Sequence, residues 1–133
     1  MRSLTIMPVL VVLGCVSSVR PGAAQGLPTA KIISHDVAVT DYLQLLSGPP
    51  ETVTMRSGRV ILSPGKAVGK HSTGANEEIL VILEGQGEMR IAGGTTLQLT
   101  KSVVAYCPPN TEHNVLNTGT VILRYVYVVA KAQ

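Results

Sequence analysis

Short apolar runs separated by glycine and proline turns most limit what this chain can fold into. GRVILS (58–63) stops at Pro64-Gly65, EILVIL (78–83) stops at Gly85, and EMRI (88–91) joins TTLQL (95–99) through Gly93-Gly94. Further runs follow at 102–107, 113–117 and 121–130. Runs this short, rich in Val and Ile and this regularly punctuated, are the pattern of strands in an antiparallel sandwich or barrel. Closing the sheet removes edges that such apolar strands would otherwise leave open. No long helix, internal repeat or low-complexity linker breaks the pattern, so the expected class is all-β, an antiparallel sandwich or barrel.

The strands carry different expectations. The run at 78–83 is apolar on both faces after its first residue, which places it in the interior of a sheet. In the hairpin, Met89, Ile91, Leu97 and Leu99 are expected on one face, with Glu88, Arg90, Thr96 and Gln98 on the other. Residues 85–87 read as a turn. Towards the N-terminus, 31–39 and 52–56 alternate loosely, and 42–46 between them is expected to form a short helical turn before Gly48-Pro49-Pro50.

With 133 residues the chain suits one domain, and its 45% hydrophobic and 14% charged residues argue for a compact globular body rather than disorder. Its aromatic residues are four tyrosines, with no Phe or Trp, so the core must come from Val, Ile and Leu. The same shortage counts against a nucleic-acid binder that stacks bases. Setting aside Arg2 and Arg20 in the leader described next leaves 9 Lys+Arg against 8 Asp+Glu, a net charge of +1 with no basic run. Neither nucleic acid nor anionic lipid is an implied partner.

The first residues read as an export signal. Arg2 precedes an apolar run at 4–16 (LTIMPVLVVLGCV), too short to span a bilayer comfortably, and Gly22-Ala23-Ala24 offers small residues for a cut before Gln25. The chain is therefore divided into a signal peptide (1–24), an arm and leading strand (25–50) and a barrel (51–133), with the mature protein secreted or periplasmic. Val12-Leu13-Gly14-Cys15 resembles a lipoprotein processing site, and lipidation at Cys15 is the alternative that would anchor the protein to a membrane. Either way Cys107 is left without a partner for a disulfide and is expected to be buried and inert.

Two polar clusters interrupt the apolar pattern. The first lies within GKAVGKHSTGANEEILVILEG (65–85) and the second is PPNTEHNVLN (108–117). In extended backbone His71 and Thr73 point to the same side, and Glu78 opens the next strand. His113, Val115 and Asn117 share one face. Two imidazoles and a carboxylate facing an apolar interior need partners, and a divalent metal satisfies them together. Tyr125 and Tyr127 alternate in RYVYVV and are expected at an edge or a dimer contact, with the pocket mouth as the alternative. His35 is expected at the surface.

The spacing within these clusters resembles that of the cupin family. Its first motif runs Gly, five residues, His-x-His, three or four residues, Glu, six residues, Gly. Gly65, His71, Glu78 and Gly85 keep that order, with Thr73 at the second histidine. The second motif is matched by Ser102, Pro108, Asn110, His113 and Asn117, with Ser102 and Asn110 standing for glycines. The resemblance covers 52–129. It implies a double-stranded β-helix, commonly dimeric, and a divalent metal (Fe, Mn, Ni, Cu or Zn) held by His71, Glu78 and His113.

Three arrangements stay open: a two-His-one-carboxylate triad, the one adopted; Glu77 recruited as a replacement ligand; or weak or absent metal binding. The implied function is a metal-dependent enzyme acting on a small molecule by oxygenase- or isomerase-type chemistry, with Glu77 or a metal-bound water moving protons. The alternative is a barrel that binds a small ligand without turnover, its metal site degenerate.

Overall fold

The computed structural model describes residues 27–35 and 41–132, so the export signal and the lipidation alternative lie outside the described residues. Among the described residues eight strands follow in order: β1 (Tyr42–Ser47), β2 (Arg56–Leu62), β3 (Asn76–Glu84), β4 (Gln86–Ile91), β5 (Thr96–Thr100), β6 (Val104–Cys107), β7 (His113–Leu116) and β8 (Leu123–Lys131). They form one five-stranded sheet, β1-β2-β8-β3-β6, and one three-stranded sheet, β5-β4-β7. Every pairing is antiparallel.

Residues 42–46 belong to a strand and not to a helical turn. YLQLL fits a short helix or a strand equally well on its own, and pairing along β2 decides it, with Tyr42 opposite Val60 and Leu43 opposite Arg59. The β4–β5 hairpin has the expected facing. Met89 lies opposite Leu97 and Val115, and Met89, Leu99 and Val115 are all buried. The turn residues Gly93 and Gly94 have φ of +93° and +106°, where only glycine is comfortable. The turn before β4 is tighter than the sequence suggests. Only Gly85 turns, and Gly87 already lies inside β4, its α-carbon packed against Leu116 and Leu123. β3 is interior as expected, flanked by β8 and β6, and Leu80 and Ile82 project into a core shared with Leu62, Leu123 and Tyr125.

Asn117 joins the ends of the two polar clusters. Its Nδ2 donates to the carbonyls of Leu62 (2.7 Å) and Val121 (2.8 Å), and its Oδ1 accepts from the Gly119 N–H at 2.8 Å. Its backbone accepts from Gly65 N–H and donates to the Lys66 carbonyl. This fully buried amide is therefore a staple that places the loop carrying His71 beside the strand carrying His113. Asn117→Ala takes the side-chain partner from three backbone groups, two of them in buried bonds, and should lower unfolding free energy by about 2–4 kcal/mol. Denaturant titration measures this, and a loss within experimental error would show that water takes over those bonds.

Candidate metal centre

The structure brings His71, Glu78 and His113 together, with one potential ligand atom from each lying within 4.8 Å of the others. Each arrives from a different element. Glu78 is the third residue of β3 and opens that strand's inward row. His113 begins β7. His71 lies in the loop between β2 and β3, and an isolated bridge fixes it to His113: His71 N–H donates to the His113 carbonyl (3.0 Å) and His113 N–H to the His71 carbonyl (2.8 Å). The two imidazoles consequently sit side by side, ring centres 4.4 Å apart.

Backbone carbonyls set the tautomers. His71 Nδ1 is 2.9 Å from the Gly69 carbonyl and His113 Nδ1 is 3.1 Å from that of Thr111. A carbonyl only accepts, so each Nδ1 carries the hydrogen and each Nε2 presents a lone pair to the centre. His113 and Glu78 are 1% and 6% exposed, and His113 Nε2 stands 3.1 Å from Glu78 Oε2. That distance is short enough for an ion pair, yet the two atoms are not aligned as a hydrogen bond, and both are buried without a hydrogen-bond partner. Two acceptors this close repel unless a proton or a cation lies between them. The Glu78 carboxylate accordingly holds the pKa of His113 above its ordinary value, against the burial that lowers it.

This donor set fits a divalent transition metal. Two imidazole nitrogens and one carboxylate converge with their lone pairs inward, and their other ring nitrogens are anchored by carbonyls, the usual outer support of metal-binding histidine. Thr73 is beside the centre, but its hydroxyl donates to the Asn76 carbonyl at 2.8 Å and offers little to an ion. Cys107 is buried as expected, its Sγ 3.3 Å from His113 Nδ1, the nitrogen that points away from Glu78. Burial, then the charge of Glu78, raises the thiol's pKa, so it backs the imidazole as a neutral group.

Glu77 does not join the cluster. Side chains alternate along β3, so the neighbour of the inward Glu78 faces outward, where its Oε2 accepts from the Tyr106 hydroxyl at 3.1 Å. The ligand atoms that converge are therefore those of His71, Glu78 and His113, with Glu77 engaged by Tyr106 on the other face of β3. His35 is half-buried and outside the cluster.

A cavity of about 230 Å³ opens onto His71 and Glu78 and is completed by Arg56, Thr73, Tyr125, Tyr127 and Val129. Both tyrosines therefore line the pocket, the alternative their alternation left open, and they do so from β8 in the interior of the five-stranded sheet. Arg56 is the residue that sequence inspection misses, because nothing about RSGRV at the start of β2 marks it. A larger groove, about 410 Å³, lies between the arm at 28–33 and residues 51–55, away from the triad.

Residues 58–129 match the family model described as Cupin domain. Solved structures agree with that match. A predicted oxalate decarboxylase from Thermotoga maritima is 27% identical, over 68% of this chain and 79% of that one, with a TM-score of 0.63. A Klebsiella pneumoniae protein with a double-stranded β-helix domain is 22% identical over 77% and 90% of the two chains, also at 0.63. An RmlC-like cupin family protein from Methanocaldococcus jannaschii is 17% identical over 77% and 91%, at 0.64, and like the Klebsiella protein it speaks for the fold alone. No curated protein is significantly similar to this chain.

Proposed function

This chain belongs to the cupin family, and we propose that it holds a single divalent transition metal through His71, Glu78 and His113 and acts on a small molecule by oxygenase- or isomerase-type chemistry. The observation that carries this is the buried pair of acceptors, His113 Nε2 and Glu78 Oε2, which face each other at 3.1 Å without a hydrogen bond. When bound, such an ion polarises a carbonyl or enol of the substrate, or as Fe(II) supports oxygen chemistry. The chain's own residues do the rest. Gly69 and Thr111 carbonyls fix both imidazoles, Glu78 supplies the negative charge, and Thr73, tied to Asn76, leaves the fourth protein position open for a substrate atom. A predicted oxalate decarboxylase among the similar structures is in keeping with small-molecule chemistry.

Metal analysis of purified protein should find about one Fe, Mn, Ni, Cu or Zn ion per chain. None, even after reconstitution, overturns the proposal. Thr73→His adds a third imidazole, and so a fourth protein ligand, to the same cavity wall and is expected to tighten retention at least about tenfold, the scale on which even outer-shell partners act. Unchanged affinity would place residue 73 out of reach of the ion. Catalysis and binding without turnover share this centre, and product formation by the loaded protein separates them.

Two further elements complete the proposal. Export rests on the leader at 1–24, read from its sequence. Homodimerisation is supported by Ile79, Val104 and Tyr106, which form an exposed apolar strip on the outer face of β3 and β6.

A further inference from the structure

The wall of the cavity opposite the triad is built by strand register. Arg56 of β2 and Glu78 of β3 both pair with Val129 of β8, so they flank it in one row on the inner face. Two strand spacings separate them, roughly 10 Å between α-carbons, and both side chains reach the same cavity. In the neighbouring row Gly58 lies opposite Tyr127. A β-carbon at residue 58 would fall 2.7 Å from Tyr127 Cε1 and 2.9 Å from its hydroxyl, so the phenol can lie across β2 only because residue 58 is glycine. Across that gap the Tyr127 hydroxyl meets the Tyr42 hydroxyl at 2.8 Å, and the rings stack with centres 6.4 Å apart.

We propose that Arg56 and Tyr127 form an anion-binding subsite facing the triad, and that the molecule taken into the cavity is a small carboxylic acid held there by its carboxylate. Among the described residues no carboxylate pairs with Arg56, although a guanidinium matches the two oxygens of a carboxylate in a forked, bidentate contact. Tyr127 is kept in its protonated form by burial and by its bond to Tyr42, which hold its pKa above the ordinary value while the charge of Arg56 opposes them. It therefore remains able to donate. Electrostatics point the same way. A divalent ion with two neutral imidazoles and one carboxylate carries net positive charge, Arg56 adds more, and an anion is the complement. The cavity, about 230 Å³, falls below the range of drug-sized sites and limits the acid to a few carbons.

This deepens the metal-centre proposal and rests on it for the anchor at the far end of the acid and for the positive charge of the centre, whereas the Arg56–Tyr127 wall stands without the ion. Calorimetric titration of malonate, with malonamide as the neutral analogue, tests it on wild type, Arg56→Gln, Arg56→Lys and Tyr127→Phe. Metal content is measured on the same samples. Wild type should bind malonate at least about tenfold more tightly than malonamide. Arg56→Gln should lose about 10- to 100-fold for malonate while keeping its metal, Arg56→Lys should recover part of that, and Tyr127→Phe should lose several-fold. Arg56 is an exposed strand-start residue, so these variants are expected to fold, and thermal unfolding checks it. Equal malonate affinity in wild type and Arg56→Gln, or no preference over malonamide, overturns the subsite. If no sample holds metal, the metal centre alone fails. Arg56-dependent malonate binding by the ion-free protein then still upholds the subsite, and its absence overturns it.

Discussion

Gly85→Ala is expected to leave the protein largely unfolded, with a loss of about 4 kcal/mol or more from the roughly 5–15 kcal/mol that holds such a domain together. Gly85 has a φ of +79°, which already costs an L-residue about 1–2 kcal/mol. The larger effect is steric. A β-carbon there would stand 2.1 Å from the Ile122 carbonyl oxygen and 3.0 Å from Leu123 Cα, both backbone atoms of the segment entering β8. Since Gly85 also carries the chain from the five-stranded sheet into the three-stranded one, neither strand can shift without opening the core. Gly93→Ala is the control, because φ is again positive but nothing lies within 4 Å. It should lose only the conformational part. Denaturant midpoints for the two variants should differ widely, and similar midpoints would show that the β3–β4 turn is free to adjust.

Glu78→Gln is expected to abolish metal retention, weakening it by more than about 100-fold, since losing even an outer-shell partner costs about 10- to 100-fold. The same change should leave the ion-free protein as stable as wild type or slightly more so. An amide N–H can donate to His113 Nε2, relieving the two facing acceptors 3.1 Å apart. In wild type, metal at 100 times its dissociation constant should add about 2.7 kcal/mol and raise the unfolding temperature by roughly 10 °C. Glu78→Gln should show no such rise. If His71, Glu78 and His113 merely buttressed the barrel, the substitution would instead destabilise the protein with or without ion. Thermal unfolding in chelator and in added metal distinguishes the two.

Much of the centre was legible in the chain. Period-two alternation put His113, Val115 and Asn117 on one face, and all three are buried. The spacing from Gly65 to Gly85 singled out Glu78 over Glu77, and the outward turn of Glu77 towards Tyr106 has the same cause. The 42–46 segment was not legible, because five residues carry too little periodicity to choose a helix or strand without β2 beside them. The Arg56–Tyr127 wall was out of reach for a related reason. Only the shared pairing of Arg56 and Glu78 with Val129 brings them together, and register between distant strands leaves no local trace. The alternating tyrosines of β8 were the one available hint, and a glycine directly opposite Tyr127 would have strengthened it had the pairing been known.

The paired backbone bonds between residues 71 and 113 also order events in time. Glu78 and His71 leave the ribosome well before His113, but no partial centre can form in the interval, because His71 is held in place by the strand that has not yet been made. Closing that long loop is among the slower steps available to a chain of this topology. An ion added to a half-folded chain meets scattered imidazoles, whereas one added to the closed barrel meets a finished socket. Metal retained at the proposed centre would therefore be a stamp of completed folding, applied only to chains in which both sheets have met.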